Sequence, residues 1–488
     1  MAAGMDDPQI GTEYRPPVAI GLPKPGWSAK ANRFFGTFKA FAGHAAPAMA
    51  RQLAQRARND HATARAIRSA FEELGATYVK FGQFVGSAPD IVGDEAAREF
   101  RSCLDTGPAI PFRAVRSIVE EDLGQPLGEA FATFDETPLA AASIAVVHRA
   151  TLHDGRAVAV KILRPGMDEV VATDLALLEA PVRFLASQGS DLAMTILGYL
   201  VGLREQIAEE LDLRNEARSM VHFRRLFAEL GLSRLEVPRP HEALSTRHVM
   251  TMDLLEGVAI DDLAGIKAMG VGSPEELVRD LFRAWILTAV RFRAFHADIH
   301  AGNLILMPDG RLGIVDWGII ARLDDETHQL LFSLIEAALG RDHAWDRIAE
   351  YIIGIQGASL RDGLGLSDDQ IRRLVRVQLE PILTRPVGEV SMSSLFAGSE
   401  EAIVQATGEP PLKRSVVDRL RLLRKTRRAN QLMLKQGTLD VGSQRAGFLA
   451  AKQLVYLERY WRMYLPDTPL MSDREFFERL LASHGAPS

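Results

Sequence analysis

The chain has 488 residues, 47% hydrophobic and 25% charged, with a formal net charge of −6 and a single cysteine, Cys103. That length and balance fit a folded protein of two or three domains, and the acidic excess excludes a chain-wide nucleic-acid footprint. One cysteine excludes an intramolecular disulfide and a cysteine-based zinc site, which fits a reducing compartment.

The opening stretch, MAAGMDDPQIGTEYRPPVAIGLPKPGW, lacks the basic region and apolar core of a secretory signal and reads as a flexible Pro/Gly-rich leader over residues 1–28. From about Ala29 to Ala88 apolar positions recur at spacings of three and four, which predicts helices. A loop-rich connector containing DTGPAIPF follows. From about Pro138 the pattern changes to short β-type runs, SIAVVHRATL and RAVAVKIL, and the Asp154-Gly155 pair between them predicts a hairpin. Lys161 lies inside the second run, where a charge is costly unless paired. Ala140, Ala141, Ala142 and Ser143 form an alanine-rich turn entering the first run, a candidate for covering a phosphate. Alanine keeps backbone N–H groups there but lacks the positive-φ freedom of glycine, so a stiff turn is expected.

A helical zone covers roughly Asp168 to Leu230. Within it, EQIAEELDLRNEARSMVHF places Asp212 and Glu216 four residues apart, on one face of a regular helix. Glu216 is the expected partner of Lys161, with a solvated charged face as the alternative. Glu210 and Asp212 are left for another cation or for a distorted helix end. The most apolar window, Leu192–Leu203, has about 12 residues against the roughly 20 that cross a bilayer, so no transmembrane helix is expected. RHVMTMDLLEGV reads as a strand, and beyond Gly257 helices dominate.

The exception is FHADIHAGNLILMPDGRLGIVDWG, from Phe295 to Gly318. NLIL and RLGIV around a Pro-Asp-Gly turn predict a hairpin. A hairpin returns the chain to its starting end, so Asn303 and Asp316 are expected side by side. Together they suit one Mg2+ whose shell is completed by water and phosphate oxygens. Asp298, five residues before Asn303, is placed to accept a proton from an attacking hydroxyl. His-x-Asp-x-x-x-x-Asn followed by Asp-x-Gly is the phosphotransfer pattern of kinase-like folds. His296 and His300 raise zinc as an alternative, but Gly302 argues against the helix that such a pair requires, and no third soft ligand accompanies them. They are expected to brace the loop. Near the C-terminus, LKRSVVDRLRLLRKTRRANQLMLKQG interleaves arginine with leucine and valine. It reads as a bundle helix with a basic solvated face, with an anionic lipid surface as the second option for Arg421, Arg424 and Arg428.

Over roughly Ala62 to Gly354 these motifs together resemble the UbiB/AarF-type atypical protein-kinase-like family. VKFGQ is similar to its Lys-x-Gly-Gln signature, at Lys80, Gly82 and Gln83, and SAPDIVGDE continues much as family members do. AAAS at Ala140–Ser143 resembles the alanine-rich loop, and VAVK its phosphate-contacting lysine, Lys161. ELDLRNEA matches the Glu-x-Asp pair, Glu210 and Asp212, and the helix glutamate, Glu216. HADIHAGN and DWG match the catalytic and metal loops at Asp298, Asn303 and Asp316. Ala145 and Val146 stand where the family has Gly-Gln, Leu213 replaces its tyrosine, Ala301 its proline and Trp317 its phenylalanine.

The resemblance implies an α+β, bilobal protein-kinase-like fold with a mixed N-lobe sheet, a mostly helical C-lobe and an N-terminal helical extension. The corresponding ranges are 29–128 for the extension, 129–256 for the N-lobe, 257–400 for the C-lobe and 401–488 for a C-terminal helical extension. It implies that Lys80 reaches toward Glu210 and Asp212, and that these three with Gln83 form a gate that restricts access by large substrates. It also implies ATP (or ADP) with Mg2+, catalytic roles for Asp298, Lys161 and Glu216, and support of isoprenoid quinone or lipid metabolism through lipid or quinone intermediates. A cytoplasmic protein with peripheral membrane contact is the corresponding location. Two other readings share part of the pattern. A small-molecule phosphotransferase of the choline or aminoglycoside kinase type has His-x-Asp, but KFGQ and AAAS weigh against it. A non-catalytic, nucleotide-gated binding module is opposed by the intact Asp298, Asn303 and Asp316.

Overall fold

The computed structural model describes residues 14, 16–55, 60–86, 96, 99–100, 107, 110–390, 400–408, 431, 434 and 441–483. Cys103, SAPDIVGDE and all of the basic C-terminal segment except Gln431 and Leu434 lie outside the described residues, Arg421, Arg424 and Arg428 included.

Three helices, Trp27–Gln55, Asp60–Leu74 and Ala76–Gly86, form the N-terminal extension. Gly75 separates the last two at φ +92°, a conformation that glycine adopts without steric penalty. Phe71, Leu74, Tyr78 and Val79 share one apolar cluster. Arg33 ties the extension to the kinase-like body, donating to the buried Asp174 carboxylate at 2.8 Å. The leader departs from expectation, because part of it is pinned rather than flexible. Val18 N–H donates to Asn215 Oδ1 at 3.0 Å, Asn215 Nδ2 returns a bond to the Val18 carbonyl at 2.9 Å, and Ile20 N–H reaches the Ala208 carbonyl at 3.1 Å. A side-chain amide carries both N–H donors and a carbonyl acceptor, so Asn215 pairs with extended backbone much as a strand would.

The N-lobe sheet has the order β1 (Thr133–Ala141), β2 (Ala145–Thr151), β3 (Ala157–Leu163), β5 (Val249–Asp253). All its pairings are antiparallel; the parallel pairing expected of a mixed sheet falls instead in a second sheet, between β4 (Leu235–Glu236) and β9 (Leu312–Ile314). The Asp154-Gly155 turn joins β2 to β3 as predicted, with Gly155 at φ +86°. Side chains alternate across a strand. Val158, Val160 and Ile162 therefore pack on Val115 and Val119 of the Phe112–Leu123 helix, while Ala159 and Leu163 join the core shared with the C-lobe. Lys161 belongs to that second set, so the strand period alone delivers its amine to the cleft.

The expected helical zone is three helices: Met167–Ser187, Asp191–Glu210 and Leu213–Glu229. In the C-lobe the Glu275–Phe292 helix buries Leu281, Trp285 and Val290 in the main core. That core also takes Leu304 and Leu306 of β8 (Leu304–Leu306), Ile314 of β9, and Leu457 and Trp461 of the Val441–Tyr464 helix. The whole is a bilobal, kinase-like α+β architecture. Among the described residues no helix is long and apolar enough to cross a membrane.

Candidate active site

The predicted hairpin forms, with Leu304 opposite Ile314 and Gly310 at φ +82° in the turn. Its two ends meet: Val315 N–H donates to the Asn303 carbonyl at 3.0 Å. Asn303 Nδ2 donates to the Asp298 carbonyl at 2.9 Å, so the amide oxygen is the atom a cation would use. Asp316 Oδ1 accepts Gly318 N–H at 3.0 Å, and Oδ2 accepts from Lys161 at 3.2 Å. A side chain at Gly318 would crowd that carboxylate, its Cβ falling 3.2 Å from Oδ1. Burial opposes ionisation of Asp316, but Lys161 and the Gly318 N–H outweigh it and hold the carboxyl well below the usual range. With 40% of its side chain exposed, against 20% for Asp298, Asp316 is the carboxylate that a cation reaches from the cleft. One carboxylate and one amide oxygen are the sparse donor set of a Mg2+ site completed by phosphate. No cluster of three or more His, Cys, Asp or Glu suited to a metal occurs among the described residues.

Lys161 Nζ lies 2.8 Å and 3.0 Å from the two Glu216 oxygens, the pairing the sequence suggested. Burial works against charge on Lys161, and the Asp316 and Glu216 carboxylates reverse it and raise its pKa. Burial pushes the Glu216 carboxyl up to about 7, with Lys161 pulling the other way. The helix breaks between Glu210 and Leu213, and this break separates the acidic residues that a regular helix would have grouped otherwise. Glu210 turns to Lys80, at 2.8 Å, whereas Asp212 departs from its expected gating role. Asp212 sits at φ −133° as the N-cap of the Leu213–Glu229 helix, where it accepts Arg214 N–H at 3.1 Å and binds the Arg214 guanidinium at 2.7 Å. Asx side chains at such positions satisfy orphaned helix N–H groups, and that local demand claims the carboxylate.

The alanine-rich turn is closed by its own backbone. Ala142 N–H donates to the Ala145 carbonyl at 2.9 Å, and Arg164 Nε holds the Ala142 carbonyl at 3.0 Å. Ala140 and Ala141 belong to β1, and Ser143 is buried. The Ala142 amide, expected to be open to phosphate, is thus committed within the turn.

His296 is a brace rather than a zinc ligand. Its Nδ1 accepts Asp298 N–H at 3.1 Å, which leaves Nε2 as the donor to the Asp316 carbonyl. Burial lowers its pKa, in keeping with a neutral ring. Trp317, in place of the family's phenylalanine, is buried, packs on Phe223 with the rings tilted and their centroids 4.8 Å apart, and donates Nε1–H to the Ile314 carbonyl at 2.7 Å. It thereby locks the metal loop onto the Leu213–Glu229 helix that carries Glu216.

Asp298 shows what sequence reasoning missed. Lys452, on the Val441–Tyr464 helix, places Nζ 2.6 Å from Asp298 Oδ1. Burial disfavours the Asp298 carboxylate, but Lys452 and His300 outweigh it and lower its pKa. A cavity of about 50 Å³ opens beside it, lined by Lys80, Gln83, Gln206, Asp298, Arg445 and Lys452 among others. Nothing local marks AAKQLVYLERY as part of a site; its residues acquire that role only through packing.

A lysine–glutamate pair from the strand-bearing lobe, facing an Asp-x-Gly loop and a His-x-Asp loop from the helical lobe, defines a kinase-like protein. The ABC1 atypical kinase-like domain matches residues 102–352, and the chain belongs to that family. An uncharacterised chloroplastic aarF domain-containing protein kinase of Arabidopsis thaliana is 31% identical over 84% of this chain and 73% of its own. An uncharacterised Mycobacterium tuberculosis protein is 33% identical over 83% and 75%. A probable protein kinase UbiB of Aeromonas salmonicida is 31% identical over 68% and 60%. A solved Mycobacterium tuberculosis protein, described as an erythromycin complex, covers 91% of this chain and 97% of its own at a TM-score of 0.41 and 22% identity.

Proposed function

We propose that this protein is a Mg2+-dependent ATPase or kinase that acts in isoprenoid quinone or lipid metabolism. The observation that carries the reading is the convergence of Lys161, Glu216 and Asp316 within hydrogen-bonding distance, from strand β3, a helix and the metal loop. Asn303 and Asp316 would hold the Mg2+, which supplies charge neutralisation for the phosphates when bound. Lys161 is positioned by Glu216 to contact phosphate oxygens, and Asp298 takes the proton of the attacking water or acceptor hydroxyl as its oxygen bonds to phosphorus and the ADP leaving group departs. Names of relatives such as UbiB support the pathway, and the apolar Leu203, Ile319 and Leu449 in the cavity wall suit an acceptor with a hydrocarbon part.

A thermal-shift titration with ATP, with and without Mg2+, tests the reading. Ligand that binds only the folded state raises stability by about 2.7 kcal/mol at 100 times its Kd, so Mg-ATP should raise Tm by several degrees and EDTA should remove most of that gain. Asp316→Asn should lose the Mg2+-dependent part. An identical ATP response with and without Mg2+ in the parent would dismiss the metal assignment.

Lys80 has the place of a gate: its ion pair with Glu210 spans from the extension to the Asp191–Glu210 helix beside Asp298, with both side chains at least nine-tenths buried. Lys80→Ala should open that side and change basal phosphate release by about fivefold or more, within the usual 1–3 kcal/mol range of coupling between sites. Unchanged hydrolysis together with an unchanged ATP thermal shift would remove the gate.

A further inference from the structure

The catalytic loop is held from one side by a helix that lies beyond the matched domain. Three residues of the Val441–Tyr464 helix converge on Ala297, Asp298 and Ile299. Lys452 Nζ contacts the Asp298 carboxylate at 2.6 Å. The Gln453 side-chain amide accepts the Ile299 N–H at 2.9 Å and donates to the Ala297 carbonyl, and Tyr460 donates its hydroxyl to the Ile299 carbonyl at 2.8 Å. Gln453 and Tyr460 are wholly buried. The peptide groups on both sides of Asp298 are therefore fixed by partners that have no other outlet in water.

The side chain needs its own restraint, because a carboxylate on a fixed backbone still turns about its χ angles. The loop between Asp298 and Asn303 reads Ile299, His300, Ala301, Gly302, with no lysine or arginine to supply it. Lys452 meets that need from outside the loop, and its Nζ is itself steadied over the Tyr456 ring, 5.6 Å from the centroid. About two turns toward the N-terminus of the same helix, Arg445 binds Glu209 at 2.6 Å, next to the Glu210 that holds Lys80. The helix thus forms a wall of the catalytic cavity and not a distant appendage.

We infer that Lys452 is a positioning residue that acts through Asp298, holding its carboxylate toward the attacking hydroxyl, while Gln453 and Tyr460 set the loop backbone. The inference rests on the phosphotransfer reading of the site. Phosphate release from Mg-ATP by the full chain tests it, in the parent, Lys452→Met, Lys452→Arg and Asp298→Asn. Lys452→Met should lower kcat about 10- to 100-fold, the scale of a misplaced catalytic group, with KM for ATP within about twofold of the parent and the ATP thermal shift retained. Lys452→Arg keeps the charge and should recover most of the lost kcat, which a merely structural role would not produce. Parent-like kcat in Lys452→Met alongside a slow Asp298→Asn overturns the inference alone. Equal losses in the Met and Arg variants with a changed KM overturn it as well, as the mark of a packing defect. Parent-like turnover in both Lys452→Met and Asp298→Asn overturns the phosphotransfer reading, and this inference with it.

Discussion

Asp298→Asn is expected to lower phosphate release by about 100- to 10,000-fold, the range for loss of a general base, while leaving ATP binding close to the parent. Asparagine keeps the shape of the side chain but cannot accept the proton of the attacking hydroxyl. The loop should hold its place, because its restraints are on backbone atoms: Asn303 Nδ2 on the Asp298 carbonyl, Gln453 on the Ile299 N–H and Tyr460 on the Ile299 carbonyl all survive the change. The Asp298 carboxylate bonds Lys452, whereas Lys161 bonds Glu216 and Asp316, so the nucleotide site should be spared. The variant does leave Lys452 without its carboxylate, and some loss of Tm is expected from that. Single-turnover phosphate release with a parallel ATP thermal shift checks the split. Turnover within a few-fold of the parent would end the assignment of Asp298 as base.

Lys161→Met should be the second large effect, with a signature in stability as well as activity. Turnover should fall about 100- to 1,000-fold, as for removal of a preorganised electrostatic contact. Removing one member of a buried ion pair costs about 3–5 kcal/mol, and here the cost should depend on pH. The Glu216 carboxyl is pushed up to about 7 by burial even with Lys161 beside it. Between the ordinary glutamate value, about 4.3, and that folded value, the native chain holds a proton that the unfolded chain has released. Its stability contribution therefore falls as pH rises through the window. Without Lys161 the carboxyl moves higher still, so the native state keeps losing stability above neutrality. The gap between parent and variant should be narrower at acid pH, where Glu216 is protonated in both and the Asp316 contact is what is lost, and widen on the alkaline side. Urea midpoints across pH measure it; parallel curves would show that the Lys161–Glu216 pair carries no such coupling.

Much of the site was legible because its residues are local in sequence or follow from a short period. The Pro-Asp-Gly turn forces β8 and β9 together and so brings Asn303 to Asp316. The two-residue alternation of β3 puts Lys161 on the cleft face, opposite to Val160 and Ile162. The acidic segment was only half readable. A continuous helix would group Asp212 with Glu216, but the helix ends at Glu210 and a new one starts at Leu213, and Asp212 is spent on capping the new helix while Glu210 takes Lys80. The leader's pinning is hidden for a related reason: Pro/Gly-rich composition says nothing about a side chain such as Asn215, 197 residues beyond Val18, that offers strand-like pairing.

Through its resemblance to the atypical kinase-like family the amino-acid sequence carried the family and the order of strands and helices, and by itself it singled out Lys161, Glu216, Asp298, Asn303 and Asp316 as candidate site residues. Those depend on turn chemistry, strand alternation and motif spacing, which act over a few residues. Only the tertiary structure decided which cations meet which carboxylates: Lys80 with Glu210, Arg214 with Asp212, Lys452 with Asp298. Ion pairing inside a fold is set by which buried charges find each other once desolvation makes an unpaired one too costly, and that choice is made between helices separated by long stretches of chain.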